Sequence, residues 1–404
     1  MVGIFHVHKN KNKNLFMVVS FLLWFPHFIY IPILSPYMES IGGGYTFIGI
    51  VLSSYGLMQL LCRLPIGIFS DLLKLRKPFI IIGMLASTIS CTIYLITDSL
   101  GWILVARTLA GLGAASWVAF TVLYPSYFTK EQVHRAMGSI SFIVVLAQFL
   151  GMSFSGYLVD AWGFKSPFWI GAFFSLIGTV LSFFIFEPKE EIERAPVKLK
   201  ELASVMREPS LLKVSFLSII AHSIIFSTMF GFTSHYALDI GFKPRELTFI
   251  VAAFMIPHAI ATLFMGSVLV PRLGEWKSLI IAFSSASIFT IMIPFIETKG
   301  LFLANQGFSG FALGLIFPLL LGMSIEKIAF EKRATAMGAY QALYAIGIFA
   351  GPFFSGIFNA KFGIAGGFYF VGSLGLIATI LVIRWNTSEV QSKLEKGQQK
   401  LYQN

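Results

Sequence analysis

The sequence predicts an all-α integral membrane protein, twelve transmembrane helices arranged as two pseudo-symmetric six-helix bundles. Composition is the first observation behind this reading. With 56% hydrophobic and 12% charged residues and a mean hydropathy of +0.79, the chain lies outside the range of soluble domains. An internal duplication is the second. AMGSISFIVVLAQFLGMSFSGYLVDAWG at 136–163 recurs 200 residues later as AMGAYQALYAIGIFAGPFFSGIFNAKFG at 336–363. Both copies are apolar throughout, so the duplicated unit is a set of membrane helices.

A spanning helix needs about 20 apolar residues. The first run, at 15–38, follows KNKNKN and precedes SPYMES without a small-x-small cleavage site, so it reads as a retained helix rather than a leader. Runs at 45–70, 78–97, 101–128, 136–160 and 166–186 complete one half. The other half comprises 212–236, 247–270, 278–296, 301–325, 335–360 and 366–385. Between them lies the longest polar stretch of the interior, EPKEEIERAPVKLKELASVMREPSLLK. The domains are therefore an N-terminal bundle at 1–186, a cytoplasmic linker at 187–211, and a C-terminal bundle with a short cytoplasmic tail at 212–404. Within the linker, VKLKELASVM reads either as an amphipathic helix on the membrane surface or as a solvated connector. KNKNKN and the polar tail after Trp385 are expected to be mobile.

The net charge of +11 is distributed by loop: 23 of the 30 basic residues fall in one alternating set of loops and ends, and five (Lys165, Lys243, Arg245, Lys299 and Lys361) in the other. A nucleic-acid partner needs a basic face on a folded domain, which this pattern does not provide. The positive-inside rule places both termini and the linker in the cytoplasm, and the protein is expected in the cell membrane. Cys62 and Cys91 sit inside predicted helices and read as packing residues rather than a disulfide. No metal-site spacing is present.

The duplication extends further at a displacement of 199: SPYMESIGG at 35–43 answers SHYALDIGF at 234–242, Gly67 answers Gly266, Gln59 answers His258, and Arg107 answers Gln306. At the end of the second run stands Gly67-Ile-Phe-Ser-Asp71, followed by Lys74, Arg76 and Lys77. Glycine permits close helix approach, and the aspartate can face a helix N-terminus. This segment resembles the loop between helices 2 and 3 of the major facilitator superfamily, with Leu72 and Lys74 departing from the family's usual Arg and Gly. Arg107-Thr-Leu-Ala-Gly111-Leu-Gly113 resembles the family's fourth-helix motif. Gly347-Ile-Phe-Ala-Gly351-Pro352-Phe-Phe-Ser-Gly356 resembles its antiporter motif, displaced from helix 5 to helix 11. The helix-5 copy keeps Gly151 and Gly156 but lacks the proline. The resemblance covers essentially the whole chain. It implies the family's fold, a conformational latch at Gly67, Asp71, Arg76 and Lys77, and helix packing through the glycines of the other two motifs.

Ionisable groups are costly at membrane depth and are therefore functional candidates. All 19 acidic residues lie in loops or near helix ends, Asp71, Asp160 and Glu326 being nearest to membrane depth. The candidates for a substrate or proton pathway are Arg107, Arg63, His27, His222, His258, Gln59, Gln148, Asn305, Gln306 and Gln341. Each has a structural alternative: Arg63 can snorkel to the surface, and a membrane histidine can bond a nearby carbonyl. The 199-residue offset brings His27 to within one helical turn of His222, so the two are expected to approach one another across the pseudo-two-fold axis.

The function expected is secondary transport of a small organic solute by alternating access between the halves. The family resemblance favours export coupled to proton entry. Import of an anionic or sugar-like metabolite is the alternative, since Arg63 and Arg107 suit a carboxylate or phosphate. No Walker motif is present, so the expected energy source is an ion gradient, H+ first, with no cofactor. The expected partners are a small-molecule substrate and the bilayer, and the protein is expected to be a monomer. A membrane enzyme should show clustered catalytic residues at one membrane face, and a receptor a sizeable soluble domain; the sequence has neither. In a background lacking Cys62 and Cys91, Ser40→Cys and Gly241→Cys should react with an impermeant thiol reagent outside intact cells, and Ala195→Cys should not. Labelling of Ala195→Cys from outside would reverse the orientation.

Overall fold

A computed structural model describes residues 2–129, 132–188, 204–328 and 333–402, and every regular element among them is a helix. Eleven helices are long and apolar enough to cross a membrane: α1 Asn12–Ser40, α2 Tyr45–Leu72, α3 Lys77–Ile96, α4 Leu100–Tyr127, α5 Ala136–Trp162, α7 Pro209–Asp239, α8 Pro244–Phe264, α9 Glu275–Phe295, α10 Lys299–Glu326, α11 Thr335–Phe362 and α12 Ala365–Thr387. The twelfth apolar helix, α6, is Ser166–Ser182. Its 17 residues reach about 26 Å at 1.5 Å each, and Phe183 and Phe184 extend the apolar run through a turn. The linker's candidate surface helix falls mostly outside the described residues. At the tail, α12 continues without a break as one helix from Ala365 to Tyr402. The segment SEVQSKLEKGQQKLY has no proline and is rich in Glu, Gln, Lys and Leu, which favour helix. The first helix likewise starts at Val2, ahead of KNKNKN.

Two helices are interrupted at matching places. Helix α1 breaks at Ile29–Tyr30 and resumes as Ile31–Ser40, with Pro32 in the first turn, where its missing N–H costs nothing. In α7 the corresponding step is a π turn over Thr228–Phe232. Such interruptions are tolerated in membranes only inside protein or beside a cavity, and both here are buried.

The halves pack alike. In the first, α1 lies on α5 and α6, α2 on α4, and α3 on α4 and α6; in the second, α7 lies on α11 and α12, α8 on α10, and α9 on α10 and α12. Between the halves, α2 runs along α11 and α5 along α8. The face carrying the ends of the described chain and the α6–α7 connection is called the terminal face here, and the opposite one the distal face. Glycine sets the close approach of α2 and α11. A Cβ at Gly49 would lie 2.7 Å from the Gly356 Cα, and one at Gly56 would lie 2.5 Å from the Ile348 carbonyl carbon. Nearer the distal face, Thr248 donates to the Ser153 carbonyl, and Ser35 of α1 meets His235 of α7. At the other end of α2, Leu64, Phe69 and Leu72 are exposed. The contacts of Thr248 and His235 join the halves at the distal side.

Gly56→Ala should destabilise this closed arrangement by about 1–3 kcal/mol through overpacking, visible as a lower melting temperature in detergent. Gly101→Ala, where a Cβ meets nothing within 4 Å, should show no loss.

Candidate functional site

The break in α1 delivers Tyr30 to the middle of the first half, where it packs on Tyr94 and Phe168, with ring centroids 5.1 and 5.4 Å away. From α4, Arg107 points at the same place and is 1% exposed. Its guanidinium lies 4.1 Å from the centroid of the Tyr55 ring on α2, and Nη1 donates to the Tyr30 hydroxyl at 3.4 Å. A desolvated cation–π contact of this kind contributes about 2 kcal/mol. One turn on, Gly111 lets α4 approach the Tyr55 backbone, with a Cβ position 2.6 Å from its carbonyl oxygen. Gly113 sits against His27 and Ser87. The His27 Nδ1 is 2.7 Å from the Leu23 carbonyl and its Nε2 3.2 Å from the Ser87 hydroxyl. Nδ1–H donates to the carbonyl, and the Ser87 hydroxyl opposite Nε2 also donates to the Gly83 carbonyl at 3.0 Å.

The second cation, Arg63, does not snorkel. It is 8% exposed and reaches across to the other half: Nη1 donates to the Tyr344 hydroxyl of α11 at 2.8 Å, and Nη2 to Gln59 Oε1 at 2.6 Å. The Tyr344 ring stacks on His222 of α7 at 4.1 Å with parallel planes, while His222 Nδ1 donates to the Ser218 carbonyl at 2.8 Å. His27 and His222 do not meet. Tyr55 and Phe226 lie between them, with Tyr55 6.3 Å from both His27 and Phe226, and Phe226 6.4 Å from His222. The result is a strip of rings and guanidinium groups running from Tyr30 through Arg107, Tyr55, Gln59 and Arg63 to Tyr344 and His222, across both halves.

This strip carries positive charge without an acidic counterpart. Among the described residues, the side-chain partners of Arg63 and Arg107 are phenols, an amide and aromatic faces. Both Nε atoms are buried and lack a hydrogen-bond partner, as does Trp24 Nε1. Unmade donors at buried cations cost several kcal/mol unless an acceptor arrives.

The other candidates are dispersed. His258 stacks on Phe254 and lies 6.0 Å from Phe317, which in turn packs edge-on against His222; its buried Nδ1 has no partner. Asn305 donates to the Phe289 carbonyl at 3.0 Å and so ties α10 to α9. Gln306, the counterpart of Arg107, is buried with Nε2 unpartnered. Gln148 and Gln341 are half-buried on α5 and α11 and form no hydrogen bond among the described residues. Gly151 packs on the α1 backbone at Phe25 and Ile29, Gly156 on Pro244, Gly347 on Ile219 and Gly351 on Ser223. Pro352, one residue on, presents its carbonyl to Gly49. At the terminal face Asp71 is ion-paired with Arg76 of its own loop. The Glu187 carboxylate accepts from the backbone N–H groups of Arg76 and Lys77 and so caps α3. Gly67 has only Val118 nearby. No group of three or more His, Cys, Asp or Glu suited to a metal exists among the described residues.

Sequence reasoning passed over Glu187, since a residue after α6 has no spacing that ties it to the start of α3. It also passed over His235, which bridges the halves at the distal face. The one available signal for His235 was its place in SHYALD, the copy of SPYMES.

The family model of the major facilitator superfamily matches residues 16–298 and 214–402. The chain belongs to this superfamily. The family is one of transporters, not enzymes. Similar proteins include the inner membrane transport protein YajR of Escherichia coli K12, 26% identical over 83% of this chain and 74% of its own. Multidrug resistance protein 2 of Bacillus subtilis is 23% identical over 93% and 96%, and the class C tetracycline resistance protein of Escherichia coli is 24% identical over 75% and 78%. Among solved structures, the nucleoside transporter NupG superposes with a TM-score of 0.74 at 15% identity, covering 92% of this chain and 98% of that one. The human organic anion transporter MFSD10 superposes with 0.65 at 17% identity, covering 93% and 99%. The duplicated helices and the two-half packing are thus those of a major facilitator transporter.

Asn305→Ala should cost about 1 kcal/mol of stability by removing its bond to Phe289, read as a lower melting temperature, with transport per folded molecule unchanged. Loss of transport at unchanged stability would move Asn305 from the helix interface into the pathway.

Proposed function

We propose that this protein is a secondary transporter that carries a small organic anion across the cell membrane by alternating access, the anion resting on Arg107 and Arg63. The observation that carries this reading is the pair of buried guanidinium groups with no carboxylate among their partners in the described residues. An anion supplies the missing acceptors and offsets two buried charges at once. A cationic solute would be repelled. The aromatic walls from Tyr55, Phe226 and Tyr344 suit an apolar body on the same molecule. With the basic loops in the cytoplasm, the distal contacts between the halves face outward. Arg63 spans the seam between α2 and α11, so a ligand on it touches both halves and favours their rearrangement. Asp71 serves as the latch in the opposite state, exchanging its Arg76 partner for a contact with the other half.

Coupling follows from charge. His27 and Arg107 both lie against the Tyr55 ring, so a proton on His27 and the guanidinium repel, and an anion on Arg107 relieves that repulsion. Proton and anion therefore bind cooperatively, which is the requirement for co-transport. This electrostatic argument supports import with a proton. The second reading, proton-driven export, is supported by the multidrug and tetracycline resistance proteins among the relatives.

In proteoliposomes, organic anions should be taken up and an inward proton gradient should accelerate them. Arg107→Lys should lower both exchange and driven transport about tenfold or more, because an ammonium cannot reproduce the directed donors of a guanidinium. His27→Gln should keep exchange and lose the effect of the gradient. Transport of cations but not anions would overturn the anion site. Anion efflux driven by proton entry would establish the second reading.

A further inference from the structure

The two copies of the duplicated distal segment, SPYMES and SHYALD, meet across the seam between the halves. His235 stands where the first copy has Pro36 and is 1% exposed. Its Nδ1 is 3.0 Å from the Ser35 hydroxyl of α1, and its Nε2 is 2.9 Å from a carboxylate oxygen of Glu39, also of α1. The Glu39 oxygen lies off the line of the ring N–H, so Nε2 has a charge partner without a directed hydrogen bond. From α2, Tyr45 packs its ring 5.3 Å from the imidazole. Asp239, one turn further along α7, lies within electrostatic reach of both His235 and Glu39, and Tyr45 within reach of both carboxylates. The titratable groups at this contact are therefore one imidazole, two carboxylates and one phenol, drawn from three helices. The Glu39 side chain, 53% exposed, connects the cluster to the distal solvent.

We propose that His235, Glu39 and Asp239 form a proton-binding site that locks the distal side of the transporter. When the imidazole is neutral, Glu39 of one half and Asp239 of the other, which lie within electrostatic reach of one another, carry uncompensated like charge, which favours separation. When it takes up a proton, the imidazolium lies between them and joins the halves by an ion pair that exists only in the distal-closed state. Ser35 accommodates both forms: its hydroxyl donates to a bare Nδ1 and accepts from Nδ1–H. Because closure brings α7 against α1 and α2, proton binding and closure are linked, and each favours the other. Acid on the distal side thus shifts the protein toward the terminal-open state whatever solute it carries. The lock is separate from the Arg63 and Arg107 strip and requires only the two-state exchange of a transporter.

The test is a distance measurement without substrate. Spin labels at Ser40→Cys and Lys243→Cys, two exposed distal positions, are introduced in a Cys62→Ala, Cys91→Ala background in lipid nanodiscs. Between about pH 8 and pH 5.5, the ratio of short to long distances should rise at least about fivefold. His235→Gln should abolish that response. Glu39→Gln, at an exposed side chain, should reduce it and serves should His235→Gln fail to fold. A pH-independent distribution in the otherwise unchanged protein, or a full response in His235→Gln or Glu39→Gln, would overturn the lock. Neither outcome touches the anion site, which is read by transport.

Discussion

Glycine-mediated contact between α2 and α11 is the constraint on which the rest of this structure depends. Lipid gives packed helices no hydrophobic reward over separated ones, so association rests on close van der Waals approach. Gly49 against Gly356 and Gly56 against Ile348 bring the two backbones together. That approach places Arg63 of α2 within reach of Tyr344 of α11, and through Tyr344 the contact continues to His222. A side chain at any of these three glycines would overpack the seam between the helices.

Charge organises the interior in the opposite way from the ends. Near the distal face, cations and anions are paired: Lys165 with Asp98 and Lys299 with Glu246. Hydrogen bonds from Lys165 and then Tyr37 hold the Asp98 carboxyl below its ordinary range, so it stays ionised at neutral pH and the clamp weakens only in strong acid. Because Asp98 is largely exposed, solvent screens most of that contribution. In the middle of the bundle the two arginines meet π faces, hydroxyls and an amide instead. That difference separates a region whose charges are paired within the protein from one whose buried cations have no acidic partner among the described residues.

Duplication supplied the frame, and divergence within it supplied the chemistry. The helix packing repeats between halves, as do the interruptions of α1 and α7. Arg107 faces Gln306 across the pseudo-symmetry, Asp71 is matched by Val270, and Pro36 by His235. The last two leave an ionisable group on one side only, and the first sets a cation in one half against an uncharged amide in the other.

The sequence by itself determined the number and order of membrane helices, because twelve apolar runs have no stable place outside lipid. It determined the pseudo-symmetry through the repeat of Ala136–Gly163 and drew attention to Arg107 and Arg63, since a buried cation is rare enough to stand out. It did not determine what those cations touch. Whether Arg63 turned to the surface or to Tyr344 depended on a contact 281 residues away in the chain. The expected meeting of His27 and His222 gave way to Tyr55 and Phe226 because offset symmetry fixes a helix face and not the bulk of intervening side chains. Only the tertiary structure decided that Asp71 pairs with Arg76, that Glu187 caps α3, and that the two copies of the distal segment face each other at His235. Those are relations between helices, set by packing geometry that no local periodicity encodes.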